Sequence, residues 1–444
     1  MSINIRGQGF SASKSFWQGT HRTTSPDVTF AKIQPYFRAI GLTRLSNITH
    51  LDRIGIPVTQ GIRPNSYSLA TSSGKGLTLE AALVSAAMES IELYCAETAF
   101  VPHFELPYAK LIDLYPYIPL EDLPLRGHSV FRVDKPELWC LGWDLFQEQE
   151  VPVPWHSVVF DYRLQYGNWS NLLSFETIST NGLASGNHLL EAVTSGLFEV
   201  VERDAITCCT EAQLQAAYYK PKVRLETIDS PTVQGLLGQF YTAGLIPFLF
   251  DCTIDTDIPV YEALCFDPSD EPIWTCHGCG AHLDPEVAMI RALTEAAQTR
   301  AVAISGARDD CFQSYYTTFC LRDSNREIAR LEAYPATVDA RARPSQATSS
   351  FEGDIAVILD KLQRAGRQQA IVINLTPLEW NISVVRVLVP GLEGFRSHAH
   401  DYRLNHRAAA FVRAKQLNQF GLVRQPSLTR DTGDPCTHLP AGGA

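Results

Sequence analysis

The chain has 444 residues, 45% hydrophobic and 19% charged, which suits a globular protein of about two or three subdomains. Its 37 Lys and Arg against 48 Asp and Glu leave a net charge of −11, a balance that disfavours nucleic acid as a partner. No apolar run reaches the roughly 20 residues that a membrane span needs, and the start MSINIRGQGFSASKSF lacks the charged-then-apolar order of a secretory signal. A soluble cytoplasmic enzyme is therefore the expectation.

In chain order, residues 1 to about 65 read as a first segment: a turn-rich SFWQGTHRTTSP, a short helix over VTFAKIQPYFRAIGL ending near Gly41, then strands broken by Gly and Pro. Thr29 and Lys32 fall one turn apart on that helix, with Arg22 just before it. Ser72-Ser73-Gly74-Lys75-Gly76 follows, and it opens onto a helix. A glycine-flanked Lys at a helix N-terminus suits a phosphate, because free backbone N–H groups and the helix dipole favour an anion. The GxxxxGK[ST] spacing of a Walker A loop is absent.

Residues 101–180 read as Pro-rich loops (HFELPYAKLIDLYPYIPLEDLPL) followed by strand-like ELWCLGWDLF and EVPVPWHSVVFDY. The stretch Asn181–Asp204 then runs from a glycine-bearing lead-in into an amphipathic helix. At about 100° per residue, Glu191, Ser195, Glu199 and Glu202 share one face, opposite Leu190, Val193, Leu197, Val200 and Val201. Like charges at this spacing repel, so they call for cations, either Arg203 or a divalent metal. Next come a helix-like TVQGLLGQFYTAGL, strands IPFLFDCTI and PVYEALCFD, and a third acidic helix near residue 285, followed by ISGARDD with Arg308. A helix and two strands ending at a Pro-Gly turn precede a polar tail after about Gln416.

The acidic helices repeat one pattern. Ala82, Glu89 and Glu92, and again Ala192, Glu199 and Glu202, obey A-x6-E-x2-E; Ala288, Glu295 and Gln298 obey it with Gln last. Three copies roughly a hundred residues apart predict a quasi-repeated unit whose polar faces converge on one site. Lys and Arg for phosphates, with carboxylates for a hard cation, make that site a nucleotide and magnesium constellation. The eleven cysteines are odd in number and scattered, unlike a disulfide framework. Cys276-His277-Gly278-Cys279, with His282 behind, has no second ligand pair at zinc spacing, so it reads as a reduced strand and turn entering the third helix.

Taken together, SxGKG with Glu89 and Glu92, then Glu191, Glu199, Glu202 and Arg203, then Glu295, Gln298 and Arg300, resemble the YcaO domain over residues 14 to about 400. GxGAHLDPEVA, ISGARDD and VPGLE at Pro390–Glu393 are similar to the subgroup that works beside TfuA-type partners. The resemblance implies an α/β (mixed α+β) fold with mixed sheets flanked by helices, divided as 1–65, a catalytic domain at 66–400, and 401–444. It implies ATP-dependent activation of a peptide backbone amide, magnesium at Glu89, Glu92, Glu199 and Glu202, and ATP at Arg22, Thr29, Lys32, Ser73, Lys75, Gly76, Asn187, Glu191, Arg203, Glu295, Gln298, Arg300 and Arg308. Glu191, Arg203, Gln298 and Arg300 would be catalytic, and His188 structural or substrate-facing. The implied partners are a peptide or protein substrate, a TfuA-like sulfide-delivering protein and a second copy of the chain.

Two features depart from the pattern. Leu93 stands where many relatives carry Arg, and the end DPCTHLPAGGA lacks the proline-alternating terminus of azoline-forming relatives. The expectation is therefore thioamidation, with azoline-forming cyclodehydration and a noncatalytic ATP-binding accessory role as alternatives.

Overall fold

The computed structural model describes residues 2–98, 102–166, 174–175, 179–215, 220–269, 275–311, 313, 316, 324–394 and 406–419. An N-terminal hairpin of β1 (Ile3–Ile5) and β2 (Gln8–Phe10) precedes α1 (Pro26–Ile33). Then come β3 (Arg44–Asn47), β4 (Val58–Ile62), β5 (Thr71–Lys75) and α2 (Leu79–Thr98). The middle of the chain makes β6 (His103–Pro107), α3 (Tyr108–Leu114), β7 (Pro136–Asp144), β8 (Gln149–Pro154), α4 (Tyr162–Tyr166), β9 (Leu183–Gly186) and α5 (Leu189–Leu214). It continues through β10 (Lys222–Arg224), α6 (Pro231–Thr242), β11 (Ile246–Asp251), β12 (Val260–Phe266), β13 (Thr275–Ala281) and α7 (Pro285–Ser305). The described chain closes with α8 (Ser324–Ala333), β14 (Ala336–Asp339), α9 (Phe351–Arg364), β15 (Ile371–Asn374), β16 (Ser383–Leu388) and α10 (His406–Gln419).

Beyond the hairpin there are three sheets. One is the antiparallel β3-β4-β5 trio, one has the order β6-β7-β15-β16-β9 with β8 also on β7, and one has the order β13-β12-β11-β10-β14. The β10–β14 pair is parallel and the other pairings are antiparallel, so the expected mixed α+β architecture holds. The apolar face of α5 lies between the two large sheets: Leu190, Val193, Leu197, Val200 and Val201 are buried with Val385 and Val387 of β16 and Phe248 and Val260 of the other sheet. Each such side chain contributes about 1.5–3 kcal/mol on leaving water. A second core packs α2 on the β7–β15–β16 sheet, and a third packs α6 and α7 on the outer face of the β11–β13 sheet.

The acidic helices α2, α5 and α7 each leave directly from a strand, β5, β9 and β13. The glycine-bearing lead-ins are thus strands, as read for the third copy at Cys276–Cys279, and their glycines set the helix height. A methyl at Gly74 would overlap the Ala82 carbonyl and the Ala86 amide, and Gly280 meets the Ala288 carbonyl in the same way. The alanine of A-x6-E-x2-E is therefore the residue that rests on the glycine strand, fully buried in all three copies.

Some expectations shift. Helix α1 stops at Ile33 and passes into a 3-10 turn over Gln34–Tyr36, because Pro35 lacks the N–H that would continue the α-helical bonds. The segment read as Pro-rich loops holds β6 and α3, whose prolines stand at element ends. Strand β4 pairs antiparallel with β5, Thr59 opposite Gly74. Cys276 and Cys279 both lie within β13, buried and unbonded. Helix α10 extends past Gln416, and the rest of the expected tail, 420–444, lies outside the described residues. No described helix is long and apolar enough to cross a membrane.

Candidate functional site

The polar faces of α2, α5 and α7 meet, and the contacts run in a cycle. Glu92 of α2 accepts from Ser185 Oγ of β9 at 2.5 Å, and Glu202 of α5 accepts from the Ala281 N–H of β13 at 3.0 Å. On α7, Glu295 and Gln298 accept from Lys75 Nζ of β5 at 2.5 and 3.1 Å. Each helix thus reaches the strand of the next unit. Glu89 also turns back to the Ser73 N–H (3.0 Å), and Glu295 to the Cys279 N–H (3.4 Å). Gly76 continues from β5 against the first turn of α2.

Ionisation divides the cluster. Burial raises Glu92 to about 8, with Glu89 and Glu199 adding repulsion against the Ser185 hydrogen bond. Burial raises Glu199 to about 7, with Arg203 acting against the rise and Glu202 adding to it. Glu89 and Glu202 are raised as well, again chiefly by burial. Burial pushes Glu295 the same way, but Lys75, Arg203 and Arg291 outweigh it and hold it at about 2. Burial opposes the charge of Arg203, yet Glu202, Glu199 and Glu295 keep it protonated. The charges of Lys75, Arg203 and Arg291 therefore outweigh burial at Glu295, whereas burial prevails at Glu89, Glu92, Glu199 and Glu202.

A second group lies at the start of α5. Glu191 accepts from Thr23 N–H (3.0 Å) and Oγ1 (2.6 Å), and Arg22 Nη1 lies 3.4 Å from its other oxygen and 3.3 Å from Ser195 Oγ. Asn187 Nδ2 donates to Thr29 Oγ1 at 2.9 Å, and Lys32 Nζ donates to the Asn187 carbonyl at 3.1 Å. Burial depresses the Lys32 ammonium against the pull of Glu191. His188 is structural in part: it caps α5, Nδ1 accepting from the Leu190 N–H.

Two expected residues stand differently. Arg300 is not shown with the carboxylate cluster; it is buried, with Nε on Asp52 at 3.1 Å and Nη2 on Asp267 at 2.9 Å. The α7 face that carries Glu295 and Gln298 has turned by the time it reaches Arg300, so its guanidinium meets the 49–52 turn and the end of β12. Arg308 lies at the rim, its charge reaching Glu89 while it pairs with Asp310 at 2.6 Å. Leu93, on α2, is buried in the apolar core.

Arg291 is the residue that sequence reasoning missed. It lies one turn before Glu295, its charge acts on Glu199, Glu202 and Glu295, and its buried Nε has no hydrogen-bond partner. The Arg–Glu spacing of four along α7 was the available signal. Asn187 Oδ1 is likewise buried without a partner. An orphaned donor and an orphaned acceptor in a site of oxygen donors with raised pKa values fit a ligand that brings both anionic oxygens and cations. No three of the glutamates bring one oxygen each within 4.8 Å; among the described residues the one trio of that kind is His21, His282 and Asp354.

A family model described as YcaO cyclodehydratase, ATP- and Mg2+-binding, matches residues 73–393, a span that includes all three acidic helices. A protein from Rhizobium leguminosarum bv. trifolii, described as uncharacterised and in the tfuA 3′ region, is 35% identical over 389 residues, 84% of this chain and 88% of its own. YcaO from Methanopyrus kandleri bound with AMPPCP and Mg2+ is similar in structure, with a TM-score of 0.68 at 23% identity, over 86% of this chain and 95% of that one. A heterocyclase in complex with substrate and cofactor gives 0.72 at 21% identity over 93% of this chain, which spans only 57% of the heterocyclase. With the model running through all three acidic helices, the chain belongs to the YcaO family, and its cofactors are ATP and Mg2+.

Proposed function

We propose that the protein uses ATP to phosphorylate the oxygen of a peptide backbone amide and installs a thioamide there, with sulfide supplied by a TfuA-like partner. The observation that carries this reading is the convergence of three acidic helices on one site where cations outweigh burial at Glu295 and burial prevails at Glu92 and Glu199. In it, Glu89, Glu92, Glu199 and Glu202 hold magnesium through carboxylate oxygens. Ser73, Lys75, Gly76, Arg203, Arg291, Glu295 and Gln298 face the nucleotide from one side. Arg22, Thr29, Lys32, Asn187 and Glu191 face it from the other, with Arg308 at the rim. Arg300 leaves the nucleotide set and ties the 49–52 turn to β12.

Bound magnesium ATP supplies the transferable phosphoryl group. The chain's own residues supply position and fixed charge: Lys75 is held by Glu295 and Gln298, and the charges of Arg203 and Arg291 act on Glu202 and Glu295, before any substrate arrives, so little reorganisation accompanies the transfer. Sulfide then adds to the activated carbon, and the former amide oxygen leaves as part of phosphate. Cys279, the thiol whose ionisation senses Glu202 and Glu295, is kept protonated well above its ordinary range by burial and by Glu262. A neutral thiol is a poor sulfur nucleophile, which favours an external sulfide source. The relative in the tfuA region favours the same source.

The description of the matching family model favours a second reading, cyclodehydration of a neighbouring Cys, Ser or Thr to an azoline. Incubation with magnesium, ATP, a candidate peptide, sulfide and a TfuA-like partner separates the two by mass spectrometry. Exchange of oxygen for sulfur with ATP consumption is the expected result. Loss of one water would move the assignment to cyclodehydration, and ATP binding without turnover would reduce the protein to an accessory role.

A further inference from the structure

The trio His21, His282 and Asp354 has the spacing of a metal site, but its centre already holds a cation. Lys14 Nζ lies 2.5 Å from Asp354 Oδ2, 3.3 Å from His21 Nδ1 and 2.9 Å from the Thr348 carbonyl, and the Lys14 and Asp354 side chains are both fully buried. The second oxygen of Asp354 accepts from Thr348 N–H at 2.7 Å and Oγ1 at 3.0 Å. Burial, and then the Lys14 charge, lowers His21 to about 4; burial and His21 push His282 down as well. Both rings are therefore neutral beside the ammonium, and a metal ion has no role to fill.

The cluster joins three separated parts of the chain. Residues 12–14 are strung along the start of α9, Lys14 N–H to the Ser349 carbonyl at 3.1 Å and Phe351 N–H to the Ala12 carbonyl at 2.9 Å. The chain then doubles back, with Phe16 and Arg22 paired backbone to backbone and Gly19 near the tip at φ +71°. His21 points inward, between Trp17 (ring centroids 4.3 Å apart) and His282 at the head of α7 (4.6 Å). The two residues that follow it, Arg22 and Thr23, are those that grip Glu191.

We propose that Lys14 and Asp354 are positioning residues: their buried pair, packed against His21 and His282, latches loop 15–23 so that Arg22 and Thr23 meet Glu191. The inference rests on the reading of the Glu191 group as part of the nucleotide site. A buried pair that loses one partner leaves a costly unpaired charge, so the test removes both charges together, in Lys14→Met/Asp354→Asn.

Hydrogen exchange is followed for peptides covering residues 15–23 and 189–214 of the full chain, with the Kd for magnesium AMPPCP measured on the same samples and the kinetics of ATP use measured beside them. In the variant, exchange in 15–23 rises, α5 stays protected, Kd and the KM for ATP rise roughly tenfold or more, and kcat at saturating ATP is retained. Unchanged exchange in 15–23 overturns the latch. Raised exchange with unchanged Kd and KM overturns its role in positioning. Failure of the unaltered protein to bind the nucleotide overturns the nucleotide reading instead, and the exchange data still decide the latch. If the double variant does not fold, His21→Asn, which removes the ring but neither charge, is read in the same way.

Discussion

Glu295 and Glu92 occupy one cluster yet ionise at opposite ends of the carboxylate range, about 2 and about 8. The difference lies in the neighbours: Lys75, Arg203 and Arg291 face Glu295, whereas Glu92 faces Glu89 and Glu199. Magnesium binds the ionised form, so its affinity rises with pH as Glu199 and Glu92 lose their protons near 7 and 8. Calorimetry of Mg2+ binding at pH 6.5, in two buffers of different ionisation enthalpy, detects the protons released; binding with no proton release would contradict the assignment. Glu199→Ala or Glu202→Ala is expected to abolish magnesium-dependent nucleotide binding with the fold intact, and unchanged affinity in both would sink the metal assignment. Arg300→Met tests the opposite kind of residue. It strands Asp52 in the interior at a cost of about 3–5 kcal/mol, Asp267 keeping Arg53 at 2.6 Å, so thermal unfolding should drop sharply while Lys75, Glu295 and Gln298 keep their contacts.

At the level of elements, the recurring piece is a glycine strand, a tight turn and an acidic helix, made three times from β5–α2, β9–α5 and β13–α7. The small residues fix the distance and the large ones the chemistry: Gly74 under Ala82 and Gly280 under Ala288 bring backbone against backbone, and the polar face one or two turns on projects into the site. Gly280→Ala would force α7 off its strand and cost about 1–3 kcal/mol by overpacking. Because Lys75 reaches α7 from another unit, the same change should weaken nucleotide binding through Glu295. A variant with wild-type melting and wild-type affinity would show that the close approach is not required. The periodicity of α2, α5 and α7 was legible because each helix shows one polar and one apolar face. The lead-in strands β5 and β9 were not, because four or five residues rich in Gly, Ser and Ala carry little strand propensity of their own. They are strands because their neighbours pair with them.

For the whole molecule, closing three units into a cycle concentrates carboxylates whose protonation stabilises the fold in the absence of metal. A carboxyl with its folded pKa raised above the unfolded value near 4.3 contributes stability that is lost as pH rises through the folded pKa. The buried histidines His21, His156 and His282 work in the other direction, but only below their ordinary value near 6.5. Between roughly pH 6.5 and 8, Glu199 and Glu92 therefore set the sign. The melting temperature in EDTA should fall across that window, and Mg2+ should recover more of it at the upper end. A flat or rising profile in EDTA would contradict the charge balance of the site.

The three acidic helices and the identity of their carboxylates were legible in the chain, because side chains on one helix are ordered by a fixed local period; the mixed architecture came with the family resemblance that their joint spacing carries. Only the tertiary structure decided that Glu92, Glu202 and Glu295 each reach the strand of the next unit, that Arg291 joins the site while Arg300 faces Asp52 and Asp267, and that Lys14, His21, His282 and Asp354 meet at all. These contacts join residues up to 340 positions apart. A period of 3.6 residues fixes which face of a helix a side chain occupies, but the partner of that face is chosen by how the sheets and helices pack.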